Sequence, residues 1–451
     1  MAEVEALPGL KQPVNDAGLL EDANQVHTLV IPSGHIWRVE LSSDEKLSLK
    51  VTAGIGEIFG TELANNVEYT FWDWKFGIYA VEELEIEWKC PQLHDRELSI
   101  VENTTAHNVY NLHFALEKMR SSTFDGPRIM VVGEKNTGKT ALCRTLCSYA
   151  IKNKPYQPMF VNLNPVEPIF SPPGCVTAVP ISSTLDAQLP RWGETMTSGA
   201  TRLHGKQPII KNFGFETIAE NRSLYKLVTK KLFETVSERL QNDSLVHRSG
   251  CIVDSPPLEN CDDEYSELVE AIVGLRINYL IILCNDNDKG REIYTKVSKI
   301  VNTYVGERLL RVPTMAGVFE KDDVYIRAQQ RAAIREYFYG DTRTVLSPYN
   351  LGCDTSDITV WRPKSVLQGE NTNLDTLEVA PVDSSTLQYA LVAITYASRK
   401  SDSEEVLQAP ILGFGLITEL NEKRNKLKIL LPVPGRLPPN AMILTSFRYL
   451  E

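Results

Sequence analysis

Residues 133–140 read Gly133-Glu134-Lys135-Asn136-Thr137-Gly138-Lys139-Thr140. Two spaced glycines closed by Lys-Thr give the pattern G-x-x-x-x-G-K-[ST], whose chemistry is phosphate cradling. The glycines let the backbone curl so that successive N–H groups point inward. A helix that begins there adds the positive end of its dipole at the same spot. In this P-loop Lys139 would reach the β- and γ-phosphates, and the Thr140 hydroxyl would sit on Mg²⁺.

The flanks suit the motif. Arg128-Ile129-Met130-Val131-Val132 reads as a buried strand, and Ala141 to Ala150 reads as a helix. Further strands end in polar residues: Met159 to Leu163 runs into Asn164-Pro165, Cys251-Ile252-Val253 ends in Asp254, and the apolar run Ile277 to Leu283 leads to Asn285-Asp286. Helical spacing covers Glu216–Gln241 and Glu264–Val273. Strands alternating with helices predict an open α/β sheet with parallel strands. Ligands of such sheets bind beyond the carboxyl ends of the strands. Asn162, Asn164, Asp254, Asn285 and Asp286 would all lie on that rim.

At 451 residues the chain is long enough for about three domains. Its 43% hydrophobic content supports a full core. A net charge of −11 argues against a broad nucleic-acid surface, which needs clustered Lys and Arg. The eight cysteines show no C-x-x-C pair, and the histidines show no ligand spacing. This predicts a reducing compartment, with neither zinc nor a disulfide framework. Cys143 and Cys147 are expected to be small core residues of the helix. The chain shows no basic-then-apolar leader and no long apolar run, so a cytosolic or nuclear protein with no membrane partner is expected.

Residues 1–23 are acidic and aperiodic and are expected to fray. From His27 to about Asn103, short alternating runs separated by Gly, Pro, Asn and Asp predict an N-terminal β-sandwich. His107 to Met119 is expected to form a connecting helix. Beyond Met315, a charged helix over Glu320–Gly340 precedes several strand-like runs, with polar loops at residues 367–373 and 401–405. The expected organisation is therefore a β-sandwich at 1–103, a central P-loop domain at 104–315 and a β-rich domain at 316–451.

The rim decides the class of P-loop protein. Asp254-Ser255-Pro256-Pro257 is like the Asp-x-x-Gly switch of GTPases, but Pro257 has no N–H to offer a γ-phosphate. Asn285-Asp286-Asn287-Asp288 is like the guanine-reading Asn-Lys-x-Asp, but Asp286 stands at the lysine. Phosphoryl transfer to a hydroxyl instead needs a carboxylate near the acceptor. Asn162 and Asn164 are amides and cannot accept a proton at neutral pH. Asp254 is the remaining carboxylate, placed to hold Mg²⁺ through water.

The chain resembles the polynucleotide 5′-hydroxyl kinase family, and within it the fungal ATP-binding subunit of cleavage factor IA. The resemblance rests on Ile58-Phe59-Gly60-Thr61-Glu62-Leu63, the P-loop, Ser249-Gly250-Cys251-Ile252-Val253, Ile334-Arg335-Glu336-Tyr337-Phe338-Tyr339-Gly340, and Leu431-Pro432-Val433-Pro434-Gly435-Arg436-Leu437-Pro438. It implies ATP as the nucleotide, held by Asn136, Thr137, Gly138, Lys139, Thr140 and Ala141 of the P-loop with help from the N-terminal module. In that module Ile36 would approach adenine through its backbone, Lys75 would be the basic residue near the nucleotide, and Glu40 is a weaker candidate. Active members carry Asp where this chain has Asn164. They also carry Thr-x-Gly-Trp where it has Ser255-Pro256-Pro257-Leu258. The base and the RNA-stacking ring are therefore both missing. Arg327 and Arg331 are loose counterparts of the lid arginines.

The resulting expectation is a non-catalytic, ATP-binding scaffold in pre-mRNA 3′-end cleavage and polyadenylation, located in the nucleus. The resemblance implies as partners the scaffold subunit that binds the RNA polymerase II tail and other cleavage and polyadenylation subunits. Any RNA contact would be indirect. An active RNA 5′-kinase using Asp254 as base, and a GTPase switch, are the alternatives.

Overall fold

The computed structural model describes residues 25–93, 96–152, 154–192, 208–306, 308–341, 344–364 and 377–450. The expected tail at 1–23 and the expected loop at 367–373 lie outside these residues. Among the described residues, contacts divide the chain into one unit within 1–58 and 62–104, and a second within 59–61 and 105–451.

The first unit carries the expected β-sandwich. A four-stranded sheet runs in the order His27–Ile31, Leu84–Lys89, Lys46–Ala53, Glu68–Trp72. The other sheet includes Gly56–Ile58, Lys75–Ala80, His35–Glu40 and Ser99–Glu102. In Lys46–Ala53 the residues Leu47, Leu49 and Val51 point inward while their neighbours face outward. This is the period-two pattern of a half-buried strand. Phe71, Trp74 and Phe76 pack ring against ring in this unit.

The second unit begins with the helix Ala106–Ser122. Its central sheet has seven strands, ordered Ile209–Asn212, Cys175–Pro180, Met159–Asn162, Cys251–Asp254, Arg128–Gly133, Tyr279–Leu283, Leu309–Val312. The last five are mutually parallel, and the first two join antiparallel at the edge beyond Met159–Asn162. Arg128–Gly133 therefore lies inside the sheet, with parallel neighbours on both sides. This explains its almost continuous apolar sequence. The helix Lys139–Lys152 is buried over most of its circumference, with Leu142, Cys143, Leu146 and Cys147 at 0–1% exposure. Cys143 and Cys147 are free thiols in this core, as their spacing suggested.

The long helix starts at Arg222 rather than Glu216. Thr217 and Glu220 exchange capping-box hydrogen bonds around a short 3₁₀ turn, and Asn221 then caps the helix by accepting from the Leu224 N–H. Asp322 likewise accepts from the Tyr325 N–H and starts the helix Asp323–Tyr339. Its buried end, with Ile334, Tyr337 and Phe338, enters the core of the C-terminal sheet. That sheet has seven strands, among them Ala390–Ser398, Ile411–Asn421, Lys426–Leu431 and Asn440–Arg448.

One glycine fixes the approach to the strand that ends in Asp254. Gly250 has φ +84°, and a Cβ there would stand 2.0 Å from the Pro127 carbonyl oxygen. Replacing Gly250 with alanine is expected to cost about 1–3 kcal/mol. Denaturant melting of G250A against wild type measures this, and equal midpoints would contradict it.

Candidate functional site

The loop from Gly133 to Thr140 closes on itself. Gly138 has φ +89°, and a Cβ there would press on Met315 at 2.6 Å, so only glycine fits. Asn136 takes a left-handed conformation with φ +60°. The Thr137 hydroxyl donates to the Glu134 carbonyl at 2.9 Å, and the Lys139 Nζ donates to the same oxygen at 2.8 Å. Lys139 is only 6% exposed. Burial lowers its pKa, while the nearby carboxylates of Asp254, Glu167 and Glu259 favour its charged form.

Thr140, at the start of the helix, donates its hydroxyl proton to Asp254 Oδ2 at 2.6 Å. Parallel pairing of Arg128–Gly133 with Cys251–Asp254 brings these two residues together. Asp254 is fully buried, and burial pushes its carboxyl up to about 7 against the opposing pull of Lys139 and Thr140. Its Oδ1 has no hydrogen-bond partner among the described residues. A buried acceptor without a donor is costly, and a cation or its water would satisfy it. The residues present therefore fit a nucleotide with its divalent ion. Thr140 and Asp254 would face the ion, and Lys139 the phosphates.

The two strand-end amides do other work. Asn162 accepts from the Asn164 N–H at 3.0 Å and donates to the Glu167 carbonyl at 3.1 Å. Asn164 accepts from the Val166 N–H at 3.3 Å and is only 5% exposed. Both hold the turn that carries Glu167. Leu258 is 5% exposed and belongs to the main core of the sheet, so its side chain offers no shelf for a base.

Other expected residues are placed elsewhere. Arg331 donates to the Leu450 carbonyl and lies over the Tyr449 ring, which engages it at the end of the chain. Arg327 is exposed on the same helix. Asn285 accepts from the Thr314 N–H and hydroxyl, Asp286 pairs with Arg291 and Arg311, and Asn287 caps the helix Asp288–Val305. These are local structural roles. In the first unit, Lys75 forms an ion pair with Glu40 at 2.9 Å across the strands His35–Glu40 and Lys75–Ala80. Ile36 is buried in the former strand.

Sequence reasoning missed three groups at the loop. The Glu259 carboxylate accepts from the Lys135 N–H at 3.0 and 3.2 Å. Glu167 pairs with Lys321 at 3.0 Å. In Glu167, burial favours the neutral acid, but the charge and hydrogen bond of Lys321, together with Lys139 and Thr140, outweigh it and hold the carboxyl below its ordinary range. In Lys321 burial likewise opposes the charge, and Glu167 overcomes it. The signal available for Glu167 was its place just past the polar strand end, whereas Glu259 and Lys321 come from distant segments.

Comparison with known proteins agrees with this architecture. The family model for the mRNA cleavage and polyadenylation factor CLP1 P-loop matches residues 133–340. An N-terminal beta-sandwich domain of polyadenylation factor matches residues 30–123, and pre-mRNA cleavage complex II protein Clp1 matches residues 346–451. Residues 316–340, expected to open the third domain, fall within the P-loop match. The mRNA cleavage and polyadenylation factor CLP1 of Vanderwaltozyma polyspora is 54% identical over 450 residues, covering 99% of each chain. That of Saccharomyces cerevisiae is 50% identical over 447 residues, covering 99% of this chain and 100% of the relative. A solved Clp1p–Pcf11p complex superposes with TM-score 0.89 at 51% identity, over 95% of this chain and 99% of its counterpart. A second structure, also at TM-score 0.89 and 51% identity, covers 95% of this chain and 100% of its counterpart, and concerns an extended Pcf11p–Clp1p interface and ATP loss in a glycine-to-arginine point mutant.

Two outcomes are expected. Leu258→Trp overfills a core position, so the variant should lose about 1–3 kcal/mol in denaturant melts and gain no fluorescence quenching by an RNA oligonucleotide. Asp254 has an ordinary pKa of 3.8 and about 7 in the fold, so the folded chain keeps a proton that the unfolded chain releases. Stability from this group is lost as pH rises from about 4 through about 7, by up to about 4 kcal/mol. In nucleotide-free protein, Asp254→Asn should remove that loss. Denaturant melts of both proteins at about pH 5 and about pH 8 test it, and a variant with wild-type pH dependence would contradict it.

Proposed function

The chain belongs to the family of the mRNA cleavage and polyadenylation factor CLP1, and on that footing we propose that it binds ATP without passing its γ-phosphate to RNA. ATP here is a structural ligand. Bound only by the folded chain, it stabilises the fold by about 4 kcal/mol at a thousandfold excess over Kd. The proposal extends to a scaffold role in pre-mRNA 3′-end cleavage and polyadenylation in the nucleus. The complex of a similar protein with Pcf11p supports a corresponding partner for this chain, a scaffold subunit of the same machinery.

One contrast carries the reading. Lys139, Thr140 and Asp254 form a phosphate and cation end, while Asn164 spends its amide on a turn and Leu258 its side chain on the core. When bound, Mg²⁺ would neutralise the β- and γ-phosphate charge. Lys139 would hold those phosphates, and Asp254 would orient the Thr140 hydroxyl. The loss of a positioned base typically lowers the rate 10²–10⁴-fold.

A second reading, RNA 5′-phosphorylation with Asp254 as base, has one observation in its favour: a carboxyl pushed up to about 7. Against it, Asp254 Oδ2 already accepts from the Thr140 hydroxyl and Oδ1 is the oxygen left for the cation, so neither is placed to take a proton from an acceptor hydroxyl.

Labelled phosphate transfer from ATP to a 5′-hydroxyl oligonucleotide separates the two. The expected result is transfer at background level, with ATP binding weakened roughly 10–100-fold by Lys139→Ala through the loss of charge-assisted hydrogen bonds. Transfer that disappears in K139A and D254N would support the second reading instead.

A further inference from the structure

Glu167 and Asp254 lie on one rim: Asn162, in register with Asp254 on the neighbouring strand, donates its amide to the Glu167 carbonyl at 3.1 Å. Thr140 has a single proton and gives it to Asp254 Oδ2 at 2.6 Å. The Glu167 carboxylate pairs with Lys321 at 3.0 Å, and its charge and that of Asp254 oppose each other. Two carboxylates on one rim repel each other unless positive charge lies between them. Lys321, 3.0 Å from Glu167, and Lys139 supply part of that charge. They leave Asp254 Oδ1 buried and unpartnered among the described residues. No group of three or more His, Cys, Asp or Glu able to hold a metal by itself exists among these residues. A cation here therefore has to arrive with oxygens of its own, such as those of a triphosphate.

We propose that Glu167 is a second carboxylate of the cation end, acting with Thr140 and Asp254 so that the chain selects the divalent-metal complex of ATP over free ATP. The inference rests on the ATP-binding reading above and adds a residue and a selectivity to it. Mg²⁺ favours hard oxygen donors and is usually held by one or two carboxylates together with substrate phosphates. Asp254 alone gives the lower count, and Glu167 brings it to two. The turn pinned by Asn162 and Asn164 sets where Glu167 stands. Lys321 is its counter-charge and keeps it ionised when no metal is present.

The test is isothermal titration of ATP into nucleotide-stripped full-length protein, in excess Mg²⁺ and in EDTA. Wild type should bind more tightly with Mg²⁺. Glu167→Gln should shrink the ratio of the two affinities roughly 10–100-fold, the range seen when groups supporting a metal are removed. Its affinity in EDTA should be unchanged or higher, because a negative charge beside the polyphosphate is gone. Lys321→Met frees Glu167 and should leave the ratio at or above the wild-type value. If the ion pair is only a brace, both variants lose affinity equally in both buffers, which overturns the proposal, as does a lowered ratio in K321M. If E167Q fails to fold, Glu167→Asp, which withdraws the carboxylate, should lower the ratio, and an unchanged ratio overturns the proposal. Wild type binding equally in both buffers defeats this inference alone, whereas wild type binding no ATP defeats the reading beneath it.

Discussion

A buried ammonium group governs this molecule. Lys139 sits 6% exposed with its Nζ on the carbonyl of Glu134, inside the loop it closes. Removing a lysine charge from water is expensive unless other charges surround it. Asp254, Glu167 and Glu259 supply that surrounding charge from three different segments. Each of these acids is in turn held by something else: Thr140, Lys321 and the Lys135 N–H. The loop is thus assembled and surrounded by charge before any ligand reaches it, which would reduce the ordering that binding must impose.

The fold serves that balance. Parallel neighbours on both sides of Arg128–Gly133 fix the loop's entrance, and the buried helix Lys139–Lys152 fixes its exit. The same pairing delivers Asp254 to Thr140. On the proposed reading, the residues that would set this chain apart from an RNA kinase serve the frame: Asn164 holds a turn and Leu258 packs in the core. On this account, a chain can lose the chemistry at a rim and keep the cradle, because the two depend on different contacts.

Local patterns were legible in the sequence. The glycine spacing with its flanking strand and helix, the Leu and Val stripe of Arg222–Asn242, and the alternation in Lys46–Ala53 each encode their element within a few residues. The edge strands Cys175–Pro180 and Ile209–Asn212 were not recognised, because short strands such as Cys-Val-Thr-Ala-Val-Pro have no marked period and gain their identity from antiparallel partners. Helix starts shifted where Asn221 and Asp322 cap, since a polar side chain at the right position overrides the apolar period. In the site, Lys139, Thr140 and Asp254 could be read from motif and strand order. Glu259 and Lys321 could not, because a charge pairing across more than a hundred residues leaves no spacing to find. Arg331 was a plausible lid residue by type, yet its guanidinium lies on Tyr449.

What the cradle holds, and in what state, decides between a structural ligand and a substrate. Native mass spectrometry of the protein, isolated under gentle conditions in Mg²⁺, reads this directly from the mass of the retained ligand. The expected result is one intact ATP per chain, still triphosphate after prolonged incubation. A guanine nucleotide, complete conversion to diphosphate, or a chain that carries no nucleotide even when ATP is supplied would contradict it.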